Sequence, residues 1–591
     1  MPGARARCLA PFLAVAAVTA ALYAPQLDHP FLWDDNVQIV ENPAVRDGVA
    51  LRRYFLDRGT TSIRDDYNTR IYRPLRNLAM RGLWRISDVA PQRRSRVFLG
   101  ANLALYLVGG WLVLLLCVRL GGDRRAALAG AALWLLLPVH AEDVLYASAF
   151  GDLLSMVLQL GGLLAAIDAL AAPPRRGALA ASLALFALAL LVKEMAITSA
   201  LLVPAYVLSE RRALLRDPSG RRRVVALAAG HVLLAVAYVA VRTAILGRVG
   251  QADVTPATVL HGVAFLPWLL LLNLEVALMP LGHAPDYGRQ LHGAAAAAGA
   301  AIVVVAAAAV LLRRPWGGAR FGAVVFALAL APVLQLVPMW TLLADRFLLV
   351  PSVGLAIAAS AVVAWVGARR RPLALALVAV SLLVCAGGLA IERRRFRDDM
   401  VMWAYAVEAE PRSWLSHHNL GLMLLKAGQP GPALDHLLLA EELGGRHATL
   451  YLHLAGALEA VGRLDDAARA AEASIAREPD DATAYAQLAS IRRARGDVAG
   501  AWAALRGAEA RGLVADPIQR AALLRADPAR REEALAAYRA LTDRFPRDPL
   551  VWIARGELAL ALDRREEAAQ AAARCGDLPA CARLRAEISP R

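Results

Sequence analysis

The chain has 591 residues, 58% of them hydrophobic and 20% charged, with a formal net charge of +16. Mean hydropathy is +0.45. The length exceeds one ordinary domain, and the apolar content excludes a disordered chain and argues against a purely soluble one. The positive charge does not point to nucleic acid. It sits in short links such as Arg221-Arg222-Arg223 and Arg369-Arg370-Arg371, and no basic stretch is interleaved with base-stacking aromatics.

In chain order, apolar runs predict membrane spans near 8–25, 97–118, 126–139, 145–170, 177–192, 195–208, 224–246, 292–312, 320–338, 346–366 and 372–391. A bilayer core about 30 Å thick takes roughly 20 helical residues, fewer inside a bundle. The first run reads as an uncleaved anchor. Segment 258–280 is also apolar but carries Pro267, Asn273 and Glu275, and is expected to enter and leave on the outer side without crossing. With Arg5 and Arg7 inside, loop 26–96 is outside, and the basic loops Arg119–Arg125, Pro173–Arg176, Ser209–Arg223, Arg313–Arg320 and Gly367–Pro372 are cytoplasmic. About eleven spans then leave everything after Ile391 outside the cytoplasm. The expected organisation is a polytopic membrane domain over 1–391, a linker over 392–411 and a repeat domain over 412–591. The expected location is the cell membrane, multi-pass, with the repeats extracytoplasmic.

From Trp414 the sequence repeats with a 34-residue period: Ala433, Ala467 and Ala501, then Ala534 after 33 residues and Ala568 after 34. Leu420-Gly421, Leu454-Ala455, Leu488-Ala489 and Arg555-Gly556 precede these alanines, and Pro479 and Pro546 close two units. The pattern resembles tetratricopeptide repeats, in which small residues let paired helices approach. The fold class is therefore all-α: a transmembrane helical bundle followed by a tetratricopeptide-type α-solenoid, whose concave face is expected to bind protein or peptide.

The first outer loop carries Trp33-Asp34-Asp35-Asn36 and Asn42-Pro43. An aspartate at a membrane edge can take the proton of a hydroxyl nucleophile, although bare Asp-Asp pairs are common in solvated loops. Further along come Tyr72-Arg73-Pro74-Leu75, Asn102, Pro138-Val139-His140-Ala141-Glu142-Asp143-Val144, Lys193-Glu194, Asp286-Tyr287, and Asp345-Arg346-Phe347 with Pro351-Ser352-Val353-Gly354. In this order, ahead of the repeats, they resemble the transmembrane-and-tetratricopeptide O-mannosyltransferases and their bacterial relatives, of the GT-C glycosyltransferase class. One departure is Ala149-Phe150-Gly151-Asp152, which keeps Asp152 but lacks the arginine that usually precedes it.

The resemblance implies a glycosyltransferase that moves a mannose-like sugar from a polyprenyl-phosphate donor to a hydroxyl acceptor, Ser or Thr of exported proteins. Asp34 would be the base and Asp35 would support or share that role. Arg73, Lys193 and Arg346 would hold the donor phosphate, with His140, Glu142, Asp152, Glu194, Asp286 and Asp345 in support; the competing structural reading of Lys193-Glu194 is that Glu194 simply neutralises Lys193. No metal-ligand spacing and no cofactor motif appears, and metal dependence is left open. Expected partners are the lipid-linked donor, an acceptor protein held by the repeats, and the bilayer. A non-enzymatic membrane scaffold built on the repeats is the alternative. A transporter would show repeated halves, and none is visible. Cys8, Cys117 and Cys385 lie in apolar runs, whereas Cys575 and Cys581 flank a turn and form either a disulfide or two packed thiols.

Overall fold

The computed structural model describes residues 2–57, 60, 71–120, 123–247, 256–287, 318–334, 342–514, 516–576 and 578–588. All regular elements among them are helical, and the chain divides into two compact units, Met1–Ser413 and Trp414–Arg591. The chain is thus all-α, an apolar helical bundle followed by a tetratricopeptide-type solenoid.

Among the described residues of the first unit, five helical stretches are long and apolar enough to cross a membrane: Leu9–Gln26, Pro91–Arg119, Ala147–Ala169, Pro218–Leu246 and Arg371–Arg397. A sixth arises if Arg124–Leu136 and Pro138–Leu145, bent by 51°, count as one broken span. Ala178–Val192, Gly262–Leu278, Ala319–Val333 and Pro351–Gly367 are apolar but shorter. The eleven expected spans include runs of this shorter kind, which suffice only inside a bundle. Run 195–208 becomes a 3-10 turn, Glu194–Thr198, and a 12-residue helix, Ser199–Glu210. The expected span 292–312, and residues 335–338 of another, lie outside the described residues.

Local chemistry sets the breaks. Pro138 has no N–H to continue the preceding helix, and Leu137 before it is extended (φ −57°, ψ 123°). Asp123 caps Arg124–Leu136 and Asp217 caps Pro218–Leu246, each accepting a first-turn N–H. Helices pack through small residues, as expected where lipid supplies no hydrophobic drive. A Cβ on Gly322 would lie 2.5 Å from the Gly354 carbonyl, and one on Gly130 would lie 2.6 Å from that of Ala356. The helix Pro351–Gly367 thereby approaches both Ala319–Leu330 and Arg124–Leu136 closely.

Segment 392–411, expected as a linker, belongs to this first unit. Arg393–Arg397 is a 3-10 turn and Asp399–Ala409 a helix. Arg395 and Trp403 are almost wholly buried, at 1% exposure each.

Among its described residues the second unit has five helix pairs and a final helix, from Trp414–Lys426 with Pro430–Glu442 to Arg565–Arg574 with Pro579–Ile588 after it. Ala433, Ala467, Ala501, Ala534 and Ala568 are all at 0% exposure, as close helix contact demands. The turns inside the pairs repeat as well. Gly428, Gly462 and Gly496 have φ of 72°, 82° and 81°, the left-handed conformation that glycine adopts without strain. In the fifth pair Asp563 (φ 56°) holds that place. The fourth pair is irregular, its first helix Pro517–Ala526 having only 10 residues. Cys575 and Cys581 are bridged, with Cα atoms 6.0 Å apart, in a buried cluster with Trp552, Ile553 and Ala571.

Candidate functional site

The breaks between helices of the first unit gather the polar motifs. Trp33 sits at φ 40°, in a tight turn, and its backbone N–H donates to Asp399 Oδ1 at 2.8 Å. Its ring packs edge-on against Trp403 (5.0 Å between centroids) and stacks near Tyr146 (6.2 Å). The turn sends the two adjacent aspartates to different surroundings.

Asp35 is at 0% exposure and accepts from three backbone N–H groups: Leu32 (3.1 Å), Ala147 (3.3 Å) and Ser148 (2.7 Å). Burial pushes its carboxyl up to about 7 against the pull of these donors. Asp35 therefore staples the loop to the Tyr146–Ser148 segment. Asp34 is half-buried; its backbone N–H donates to the Tyr146 hydroxyl at 3.0 Å, and its carboxylate lies within reach of Gln38 Nε2 at 3.5 Å. Arg76 and Arg346 both lie close enough to feel its charge.

Each expected phosphate-binding cation faces a carboxylate. Arg73 meets Glu194 through two parallel bonds, Nε–Oε2 at 2.8 Å and Nη2–Oε1 at 2.5 Å. Burial alone would push Glu194 up, but the Arg73 guanidinium outweighs it and holds the carboxyl at about 2. Lys193 pairs with Asp152, and Arg346 Nη1 meets Glu142 Oε1 at 2.7 Å. The expected Lys193–Glu194 neutralisation is thus replaced by two crossed pairs. Lys193 is extended (φ −153°, ψ 127°), which turns successive side chains to opposite sides.

The remaining motif residues are engaged elsewhere. Ser352 Oγ donates to the Leu349 carbonyl, accepts from Trp134 Nε1 at 2.9 Å and lies 2.9 Å from His140 Nε2. His140 Nδ1 lies 2.8 Å from the Tyr106 hydroxyl and 3.1 Å from the Trp134 carbonyl. His140 is a satisfied core hydrogen bonder. Asp345 meets Arg395 (2.5 Å), His283 (3.2 Å) and Tyr287 (2.6 Å), and Asp286 accepts from Ser413 Oγ at 2.8 Å.

Arg76 and Arg395, both buried, fall outside the sequence motifs. Arg76 lies three positions after Arg73 at the start of the helix Pro74–Ser87, and its guanidinium donates to Gln38 at 3.0 Å. The same-face spacing with Arg73 was the available signal. Arg395 sits in a basic run that reads as membrane flank. Among the described residues, no three His, Cys, Asp or Glu side chains are grouped so as to hold a metal ion.

No protein-family model matches this chain, and no curated protein does. Solved structures that align with it include a tetratricopeptide repeat protein from Parabacteroides merdae ATCC 43184, at 16% identity over 36% of this chain and 82% of that one, with a TM-score of 0.28. The APC/C hetero-tetramer Cut9–Hcn1 aligns at 11% identity over 86% of this chain and 92% of that one, with a TM-score of 0.30. Yeast Tom70 aligns at 13% over 74% and 91%, with a TM-score of 0.24. The repeat assignment rests on the array's own 34-residue spacing and paired helices.

What the first unit offers chemically is a half-buried carboxylate in the field of two guanidiniums, ringed by ion pairs at helix breaks. A carboxylate so placed can accept a proton, and the cations can meet a phosphate that displaces or shares their partners.

Proposed function

We propose that this chain is an integral membrane glycosyltransferase. It would move a sugar, mannose-like by the resemblance, from a polyprenyl-phosphate donor to a hydroxyl, Ser or Thr of an exported protein, which the repeats recruit. The observation that carries the reading is the split between the two aspartates. Asp35 is committed to three backbone N–H groups, while Asp34 remains half-buried beside Arg76 and Arg346.

In this reading the acceptor oxygen forms its bond to the anomeric carbon from the face opposite the donor, with inversion. The bond from that carbon to the phosphate oxygen breaks, and the electron pair leaves on the polyprenyl phosphate. Asp34 takes the hydroxyl proton. Arg346, Arg73 and Lys193 stabilise the charge that grows on the phosphate. The first unit lies in the cell membrane, and the array lies outside the cytoplasm with its acceptors.

Membranes from an expressing strain, given polyprenyl-phosphate mannose labelled in the sugar, should label protein. Asp34→Asn should cut transfer by about 100-fold or more, the usual worth of a positioned base. Unchanged transfer by Asp34→Asn would sink the assignment of the base. A wild-type chain that transfers nothing, yet still retains exported proteins through its repeats, would favour the scaffold instead.

A further inference from the structure

Five of the chain's 11 histidines fall between residues 417 and 453, in the first helices of the second unit. They are paired. His417 Nδ1 lies 2.9 Å from His436 Nδ1, and His418 Nε2 lies 2.8 Å from His453 Nδ1. The helix Trp414–Lys426 carries His417 and His418, Pro430–Glu442 carries His436, and Ala448–Ala460 carries His453. Two adjacent residues of one helix thus tie it to the two helices that follow.

The ring centroids of the pairs are 5.1 and 5.0 Å apart. That is close to the nitrogen separation plus two ring radii, so the nitrogens point at each other, as in a shared-proton hydrogen bond. Around a metal they would converge on a third point. Each pair is complete when both rings are neutral, one ring donating and the other accepting. A second proton sets N–H against N–H and charge against charge.

The surroundings sharpen this. His418 is at 6% exposure, and Trp414 stacks on its ring and on that of His447. Its Nδ1 is buried without a geometrically complete hydrogen bond, and the pull of the Thr449 backbone toward a proton on the ring is outweighed by burial. The charged or titratable groups felt by His418 are the imidazoles of His453 and His447; His436 feels His417 and the Asp435 carboxylate. Burial, reinforced by the neighbouring rings, lowers His418 to about 3 and also lowers His436.

We propose that these two imidazole pairs form an acid-sensitive latch. On acidification they release the seam joining the first three helices of the array, Trp414–Ala460, while the later repeats stay closed. The latch does not rest on the sugar-transfer reading. A histidine held neutral in the fold stabilises it fully above its unfolded value of about 6.5, and that contribution is lost as pH falls toward the folded value. Each such ring can therefore raise the opening equilibrium by up to about tenfold per pH unit below about 6.5.

The test is hydrogen exchange of the full-length protein in detergent at pH 7.5 and 5.0, corrected for the intrinsic pH dependence of exchange. Peptides from 414–460 are compared with peptides from 531–574 as an internal reference. In the wild type the ratio should rise about tenfold or more at pH 5.0. Gln at both members of a pair keeps an amide hydrogen bond without titration. His417→Gln with His436→Gln, and His418→Gln with His453→Gln, should each remove part of the rise, and the four together should remove it. If the fourfold variant does not fold, the two double variants decide. A flat wild-type ratio overturns the latch, as does a rise in both double variants as large as that of the wild type. Protection of 414–460 by micromolar zinc, reversed by chelator, would replace the shared proton with a metal and overturn it too.

Discussion

Asp35 Oδ1 accepts the backbone N–H of Ser148 at 2.7 Å, across 113 residues of sequence. The contact fixes the loop beyond the first helix to the break before the helix Phe150–Ala169, and it fixes the position of Asp34 with it.

Substitution at the two aspartates should therefore separate stability from chemistry. Asp35→Ala strands three buried N–H groups and should cost about 3 kcal/mol, whereas Asp34→Ala should cost under about 1 kcal/mol. Thermal unfolding in detergent measures both. Equal losses would mean that Asp34 is structural as well.

The same residue gives a pH dependence of definite sign. Burial holds the Asp35 carboxyl protonated in the fold up to about pH 7. In the unfolded chain it ionises near 3.9. Between these values the folded state binds more protons, so its contribution is full below about pH 4, falls as pH rises, and levels off above about 7. Asp35→Asn should remove that slope of at most about 1.4 kcal/mol per pH unit, measured by chemical unfolding at pH 5 and 7. An identical slope in the variant would contradict the burial argument.

The crossed ion pairs predict non-additivity. Glu194→Gln leaves the Arg73 guanidinium, at 14% side-chain exposure, without its carboxylate and should cost about 2 kcal/mol. Replacing both by apolar residues, Arg73→Met with Glu194→Leu, should cost less than Glu194→Gln alone. A double-mutant cycle of unfolding energies checks this, and simple additivity would show that the pair is not coupled.

How far these features could be read in advance depends on the kind of contact. The alanines at 433, 467, 501, 534 and 568 were legible because a repeat contacts only its neighbours and its spacing survives in sequence. Trp33-Asp34-Asp35 and Tyr72-Arg73 were legible as motifs. Their partners were not. Lys193 and Glu194 are adjacent, yet extended backbone at Lys193 sends them to Asp152 and Arg73. Arg395 could not be told from Arg393 and Arg394 because only tertiary packing selects which arginine is buried. Helix breaks inside apolar runs were hidden for the same reason: apolarity reports burial, while Pro138 and the turn after Lys193 set the length. The turn glycines at 428, 462 and 496 and the histidines at 417–453 were visible but are signals of close geometry rather than of hydrophobic period.

Asp563 makes one of those turns testable. It holds the left-handed position that glycine fills in the first three pairs, at φ 56°. Asp563→Gly should relieve that strain and stabilise the fifth pair by about 0.5–1 kcal/mol after glycine's extra unfolded-state entropy is deducted. Slower hydrogen exchange in Pro549–Arg574 of the full-length protein would show it, and faster exchange would refute it.

The Cys575–Cys581 bridge closes a short loop ahead of the last helix. Cys581→Ser should lower the stability of that end by about 2 kcal/mol in the chain-entropy picture. Peptide mapping without reductant, on protein from its native membrane, should recover the linked pair. Two freely alkylated thiols there would argue against an oxidising compartment and against the proposed extracytoplasmic placement.

The pairing of Arg73, Lys193 and Arg346 with Glu194, Asp152 and Glu142 bears on how a phosphorylated lipid would arrive. A surface already neutralised internally exerts little pull beyond a few ångströms, so capture would owe almost nothing to ionic steering and would change little with added salt. Recognition would operate as an exchange reaction, the incoming phosphate trading places with carboxylates that swing aside. Such a surface selects by how well the newcomer reproduces the contacts it evicts: a lone anion of the right charge but the wrong shape would find no vacancy to fill.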